Sequence, residues 1–218
     1  MTTPSHSKDY SQLFFGLQAK IPTLRGELQP YINFDNAAST PPLQAVQEAV
    51  NQFSVYYSSV HRGTGFKSQL STHVYEAARM AVMRFVGADP QHETCIFVKN
   101  TTEAINKLSY RLRLPPDAVV LSTQMEHHSN DLPWRARARV VHVRATLDGR
   151  LDEDHFNELL ATHRDHLALV AVAGASNVSG YLQPIHRLAR KAHAAGVPIL
   201  VDCAQLAPHR RMDVRPDG

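Results

Sequence analysis

From Thr94 onward, short apolar runs alternate with stretches of helical period, and this alternation constrains the fold more than any other feature of the chain. Runs at Thr94 to Lys99, Ala118 to Ser122, Val140 to Arg144, Leu167 to Ala173 and Val197 to Val201 have strand length and are largely continuous in apolar character. Helical patterns fall between them, at Thr102 to Leu112, about Asn130 to Ala138, Asp152 to His163, and Ile185 to Ala195. A strand that is apolar on both faces needs cover on both. A parallel sheet supplies that cover by returning through a helix after each strand. The expectation is an α/β fold, a mainly parallel sheet with helices on both faces, with ligand-facing residues gathered at the carboxyl ends of the strands.

Upstream, Pro41-Pro42 introduces a helical stripe of Leu43, Val46, Val50 and Phe53, and a second helix is predicted from about Thr72 to Val86, stopped by Gly87. Residues 1–30 read as a polar, irregular amino-terminal arm in which Leu13-Phe14-Phe15 packs on a neighbouring surface. Residues 31–218 read as one large domain without a linker or repeat. With 43% hydrophobic and 20% charged residues, the chain can bury one sizeable core. The net charge of +3 is small and scattered, which argues against a nucleic-acid partner. Cys95 and Cys203 stand far apart with no C-x-x-C pair, so neither a disulfide framework nor a zinc site is expected. The thirteen histidines show no ligating pattern, so no metal is expected. No basic leader precedes an apolar segment, and no run approaches the roughly 20 residues of a membrane span. No membrane partner and a cytoplasmic location are the corresponding expectations.

Four features fall on the predicted carboxyl edge. Asp202 closes the run Val197-Pro-Ile-Leu-Val-Asp202, where a carboxylate is costly to bury without a cationic partner. Thr101 and Thr102 open a helix after a strand, so their hydroxyls and free N–H groups suit a phosphate. His127 follows another strand, and Asn177 and Gln205 place amides at neighbouring strand ends. Each has a plainer reading taken singly. The threonines could be an N-cap, His127 and the amides could satisfy loop carbonyls, and Asp202 could cap a helix or hold a ribose. The ribose reading lacks its companion, because no G-x-G-x-x-G follows any strand.

The longer text around these residues resembles the class V aminotransferase-type, fold type I enzymes that use pyridoxal phosphate (PLP), closest to the cysteine desulfurase and selenocysteine lyase branch. The matching stretches are Tyr31-Ile-Asn-Phe-Asp-Asn-Ala-Ala-Ser39, Val60-His-Arg-Gly63, Tyr75-Glu-Ala-Ala-Arg79, Thr101-Thr-Glu-Ala-Ile-Asn106, Gln124-Met-Glu-His-His-Ser-Asn130 with Pro133-Trp134, Ser176-Asn-Val-Ser-Gly180 and Val201-Asp-Cys-Ala-Gln205. The resemblance implies the large domain of such an enzyme, with only its amino-terminal part in this chain. It further implies that Thr101 and Thr102 hold the phosphate, His127 stacks on the ring with a possible acid-base role, Asp202 pairs with the pyridine nitrogen, and Asn177 and Gln205 contact the ring hydroxyl. Ala37, His61 and Arg62 would line the substrate side, with Ala38 beside them, in a homodimer that acts on an amino acid. Asn100 stands where the family usually has glycine, bringing a side chain to the phosphate loop.

The Schiff-base lysine of the family, in a Ser-x-His-Lys turn beyond the strand-end Asp, has no counterpart among the lysines at 8, 20, 67, 99, 107 and 191. The implied function is therefore the amino-terminal part of a PLP-dependent lyase or transferase, desulfurase-like and inactive by itself. The alternatives are a nonenzymatic fragment that binds a partner, and another class V activity such as an aminotransferase or epimerase.

Overall fold

The computed structural model describes residues 9–215. The chain divides into two compact units, with the boundary between Ala77 and Ala78.

The first unit begins with a feature that sequence pattern does not announce. Strands β1 (Lys20–Pro22) and β2 (Leu28–Pro30) form an antiparallel hairpin inside the arm, with Lys20 opposite Pro30. Its connection closes through the Thr23 N–H, which donates to the Glu27 carbonyl at 2.8 Å, and needs Gly26 at φ +82°. A three-residue run holding two exposed side chains and a proline carries no period that could announce a strand. Phe14 pairs with Leu43 in an isolated bridge just before helix α1 (Gln44–Ser54), while Leu13 and Phe15 stay exposed. Helix α2 (Phe66–Phe85) begins six residues before the predicted Thr72, directly after Gly65. That first turn has one exposed aromatic, Phe66, ahead of three polar residues, so periodicity could not reveal it, and Ser68 is held by the carbonyl of Ser59 at 2.7 Å. Helix α1 buries none of its residues, and Val46, Ala49, Val50, Phe53 and Tyr57 line an apolar groove with Val74.

The second unit is the predicted α/β layer structure. Strands β3 (Val119–Thr123), β4 (Arg139–Val143), β5 (Leu167–Ala173) and β6 (Ile199–Asp202) form a four-stranded parallel sheet in the order β4-β3-β5-β6. Side chains alternate between faces along each strand, which explains why the runs are apolar throughout. One face carries Leu121, Val143, Val170 and Val172 against Phe156 and Leu160 of helix α5 (Glu153–Thr162) and Leu188 and Ala192 of helix α6 (Ile185–Ala194). The opposite face carries Val120, Leu169 and Ala171 against Ile105 of helix α3 (Thr101–Arg111) and Trp134 of the short helix α4 (Leu132–Arg135).

Two predicted elements require correction. Thr94 to Lys99 belongs to no β-ladder of the described residues, although its sequence favours a strand. Pairing needs a neighbouring strand, and no strand of the described residues is in register with this segment, in which Ile96 is 75% exposed. The helix predicted from Asn130 to Ala138 is interrupted: a 3-10 turn (His128–Asn130) precedes the four residues of α4, with Pro133 in its first turn. Among the described residues, no helix is long and apolar enough to cross a membrane.

Candidate functional site

Strand order places the site. The chain leaves β3 toward β4 on one side, whereas β5 and β6 lie on the other, so connections diverge between the carboxyl ends of β3 and β5. A crevice opens where neighbouring connections part. A cavity of about 150 Å³ occupies that position, lined by Thr101, Thr102, His127, Asn177, Asp202 and Gln205 among others. Six of the residues singled out in the sequence are thus brought to one shared space. A second cavity of about 500 Å³, lined by Gln124 to His128 and Ser176 to Ser179, shares His127 and Asn177 with it.

The amino end of α3 is built by Asn100. Its backbone is extended (φ −166°, ψ 173°), a conformation open to any residue, and its Oδ1 accepts the Glu103 N–H at 2.9 Å. The side chain that replaces glycine therefore serves as the N-cap. Glu103 reaches back to accept the Lys99 N–H at 2.6 Å, and that bond, foremost, holds its carboxyl below the usual range. The cap consumes the third N–H of the helix and leaves those of Thr101 and Thr102 without an intrahelical acceptor. Both threonines line the cavity, which brings a helix start to its wall.

Asp202 ends β6 at 7% exposure, paired in register with Ala173. Its Oδ1 accepts the Ala204 N–H at 3.0 Å, and no Lys, Arg or His of the described residues lies within ion-pair distance. A carboxylate so placed offers its charge to whatever fills the cavity. Cys203 follows it, and burial first, with the Asp202 charge second, pushes its thiol up to about 12. It is a poor nucleophile for that reason.

Two residues here, both within the Gln124 to Asn130 stretch, were given no role of their own in the sequence. Ser129 lines the smaller cavity, and its Oγ lies 2.8 Å from Thr102 Oγ1 and 2.9 Å from His127 Nδ1. Glu126 is the hub beneath His127: its Oε1 accepts from Thr123 Oγ1 at 2.6 Å and its Oε2 from Asn130 Nδ2 at 2.7 Å, while Asn130 Oδ1 accepts from the buried Trp134 indole at 3.1 Å. Burial raises its carboxyl above the ordinary glutamate value, the Thr123 bond opposes this, and the nearby Asp202 charge adds to the rise. The position of Glu126 inside the Glu126-His127-His128 turn was the available signal, but a polar residue in a turn does not reveal that it will be buried.

Ala37, His61 and Arg62 belong to the first unit and are not among the lining residues of either cavity. Ala37 sits in a turn closed by the Ala38 N–H to the Asp35 carbonyl at 3.2 Å. His61 adopts φ +56°, a left-handed conformation that costs a non-glycine residue of order 1 kcal/mol. Its N–H donates to Thr72 Oγ1 at 2.9 Å, its Nε2 meets Glu76 Oε1 at 2.8 Å, and its ring lies edge-on to Tyr75. Arg62 offers its carbonyl to Ser59 Oγ at 3.1 Å and to Ser68 Oγ.

A parallel sheet with a polar cavity at its carboxyl edge, ringed by a helix start, a histidine and a strand-end Asp, defines an α/β protein with a ligand crevice at its switch point. Comparison with known proteins makes the assignment specific. The family described as Aminotransferase class-V matches residues 32–217, and the chain belongs to it. Its members that the comparisons name are cysteine desulfurases, enzymes of the PLP-dependent class. The cysteine desulfurase of Haloferax volcanii is 39% identical over 195 residues, covering 85% of this chain and 45% of that protein. That of Dickeya dadantii is 37% identical over 210 residues, covering 91% and 50%. Among solved structures, the apo cysteine desulfurase of Thermococcus onnurineus superposes with a TM-score of 0.73 at 30% identity, covering 83% of this chain and 46% of that one. An Escherichia coli cysteine desulfurase gives a TM-score of 0.69 at 33% identity, covering 82% and 46%. The chain spans about half the length of the relatives it matches.

Proposed function

We propose that this chain carries the cofactor-binding wall of a PLP-dependent enzyme that removes sulfur or selenium from an amino acid. The observation that carries the reading is Asp202: a buried carboxylate lining the cavity, with a backbone N–H but no cation of the described residues beside it. A protonated pyridine nitrogen is the partner such a group lacks. Thr101 and Thr102 would hold the phosphate with the first N–H groups of α3, His127 would lie against the ring, and Asn177 and Gln205 would donate to its hydroxyl oxygen. When bound, PLP supplies an electron sink for charge that develops on the amino acid. The part of the protein is to keep the ring cationic through Asp202, to anchor it by the phosphate and to place a histidine where a proton can be held. Ala37, His61 and Arg62 would serve the substrate side in a homodimer, a reading supported by the family and by the unburied apolar face of α1. A cytoplasmic location goes with the same reading.

None of the lysines in this sequence stands in a Ser-x-His-Lys turn, so the cofactor would be held by this chain without a covalent bond. Titration of the purified chain with PLP, read by cofactor absorbance, should saturate, and dialysis should reverse it even after borohydride. Asp202→Asn should weaken binding about tenfold or more. Absence of saturation, or an Asp202→Asn affinity equal to that of the wild type, would sink the proposal. NAD should give no saturable signal, and a better affinity for NAD than for PLP would favour a ribose-binding Asp202 instead.

A further inference from the structure

Ser129 stands between the two halves of the cavity, and its hydrogen bonds have a direction. Its backbone N–H donates to His127 Nδ1 at 3.1 Å, so this nitrogen carries no proton in the arrangement observed. The Ser129 hydroxyl, 2.9 Å from the same nitrogen, must then donate to it as well. Having spent its single proton, the Ser129 oxygen can only accept from Thr102 Oγ1, 2.8 Å away. The relay therefore runs from the Thr102 hydroxyl to the Ser129 hydroxyl to Nδ1, and the neutral ring keeps its proton on Nε2.

We propose that Ser129 is a positioning residue through which an anion at the start of α3 selects the tautomer of His127. The inference rests on the proposed phosphate role of Thr102. An anionic phosphate oxygen is a stronger acceptor than a serine hydroxyl, so it draws the Thr102 proton to itself. Ser129 loses its donor, and the Thr102 oxygen becomes an acceptor for the Ser129 proton. The whole relay then reverses, running from Nδ1–H to Ser129 to Thr102 to the anion, with each hydroxyl strengthening the next. No proton is gained or lost overall, since water takes one from Nε2 and returns one to Nδ1. The consequence is that Nε2 changes from a donor to an acceptor when the anion arrives. The reversal gives up the Ser129 N–H bond to Nδ1 and sets two N–H groups facing each other, so the ring must turn away from the Ser129 amide as the charge-assisted bond forms at the far end.

The test uses the full chain with inorganic phosphate as the probe, at about pH 8 where a free imidazole is neutral. Nitrogen NMR of labelled histidine reads the His127 tautomer, while the amide signals of Thr101 and Thr102 report anion binding independently. Saturating phosphate should raise the Nδ1–H population of the wild type at least about threefold. Ser129→Ala should bind phosphate at the same amides yet show no tautomer change, and Ser129→Thr, which keeps the hydroxyl, should restore it. Should Ser129→Ala fail to fold, Thr102→Val interrupts the relay one step earlier and should abolish the response. A wild-type tautomer that stays fixed at phosphate saturation overturns the inference alone, as does an equal response in Ser129→Ala. Amide signals that never respond overturn the phosphate role of Thr102 and the inference with it.

Discussion

Glu126 and Asp131 sit five residues apart, and their surroundings act on them in opposite senses. Burial dominates at Glu126 and lifts its carboxyl above the ordinary value of 4.5. The folded protein thus holds this proton more tightly than the unfolded chain, so the contribution to stability is complete below the unfolded value and is lost as pH rises through the folded one. Glu126→Gln cannot ionise and should gain on the wild type as pH climbs from 4.5 toward neutrality, measured by urea unfolding at several pH values. A difference that stays flat across that window would show that the carboxyl is not raised. At Asp131 burial also acts upward, but the Arg135 and His142 hydrogen bonds outweigh it and hold the carboxyl below its ordinary value of 3.8. Its contribution is present above 3.8 and disappears as pH falls through the folded value, so Asp131→Asn should cost roughly 1–3 kcal/mol at neutral pH and little in acid. Cys203 offers a chemical check on the same rim. With its thiol pushed up to about 12, the thiolate is about a thousandfold scarcer near pH 8 than on a free cysteine. Alkylation by iodoacetamide, followed by peptide mass spectrometry, should be correspondingly slow, and labelling of Cys203 at the rate of a free thiol contradicts it.

At the scale of elements, the cap of α3 is the piece on which the rim most depends. Asn100→Ala removes the acceptor for the Glu103 N–H and should cost about 1 kcal/mol, whereas Asn100→Gly should cost only a few tenths. Chemical denaturation of both variants checks the order, and an alanine variant as stable as wild type would refute the cap. Elements were legible wherever burial imposed a period: Leu167 to Ala173 matches β5 at both ends, and the α5 stripe was framed by an Asp152 that accepts the His155 N–H. They were illegible where partner or context decided the outcome. Thr94 to Lys99 has strand composition without a ladder, the arm hairpin has a ladder without strand composition, and what the apolar spacing presented as one helix breaks at Asp131, between the 3-10 turn and α4. The lining of the smaller cavity was legible in a similar proportion. Asp202 and the paired threonines could be found because acid and hydroxyl stand out at the ends of apolar runs, but Ser129 and Glu126 are polar residues in a polar turn, and only folding shows what they touch.

At the scale of the whole molecule, the surface of the first unit is the least finished. A 540 Å³ apolar groove along α1, with Val46 and Val50 each more than half exposed, is costly to leave in water. Sedimentation of the purified chain at micromolar concentration should therefore show a dimer or larger species, and Val50→Asp should shift the population toward monomer. A wild-type chain that sediments as a monomer would contradict self-association through this face. The sheet of the second unit bears on change over time. Its apolar strands are locked between two helical layers, while the groups facing the cavity sit on the last residues of β5 and β6, on the connections beyond the strands or in the first turn of α3. Substitutions in those connections can exchange one reaction for another without repacking the interior, so chemical diversification and structural inheritance are free to proceed on separate residues.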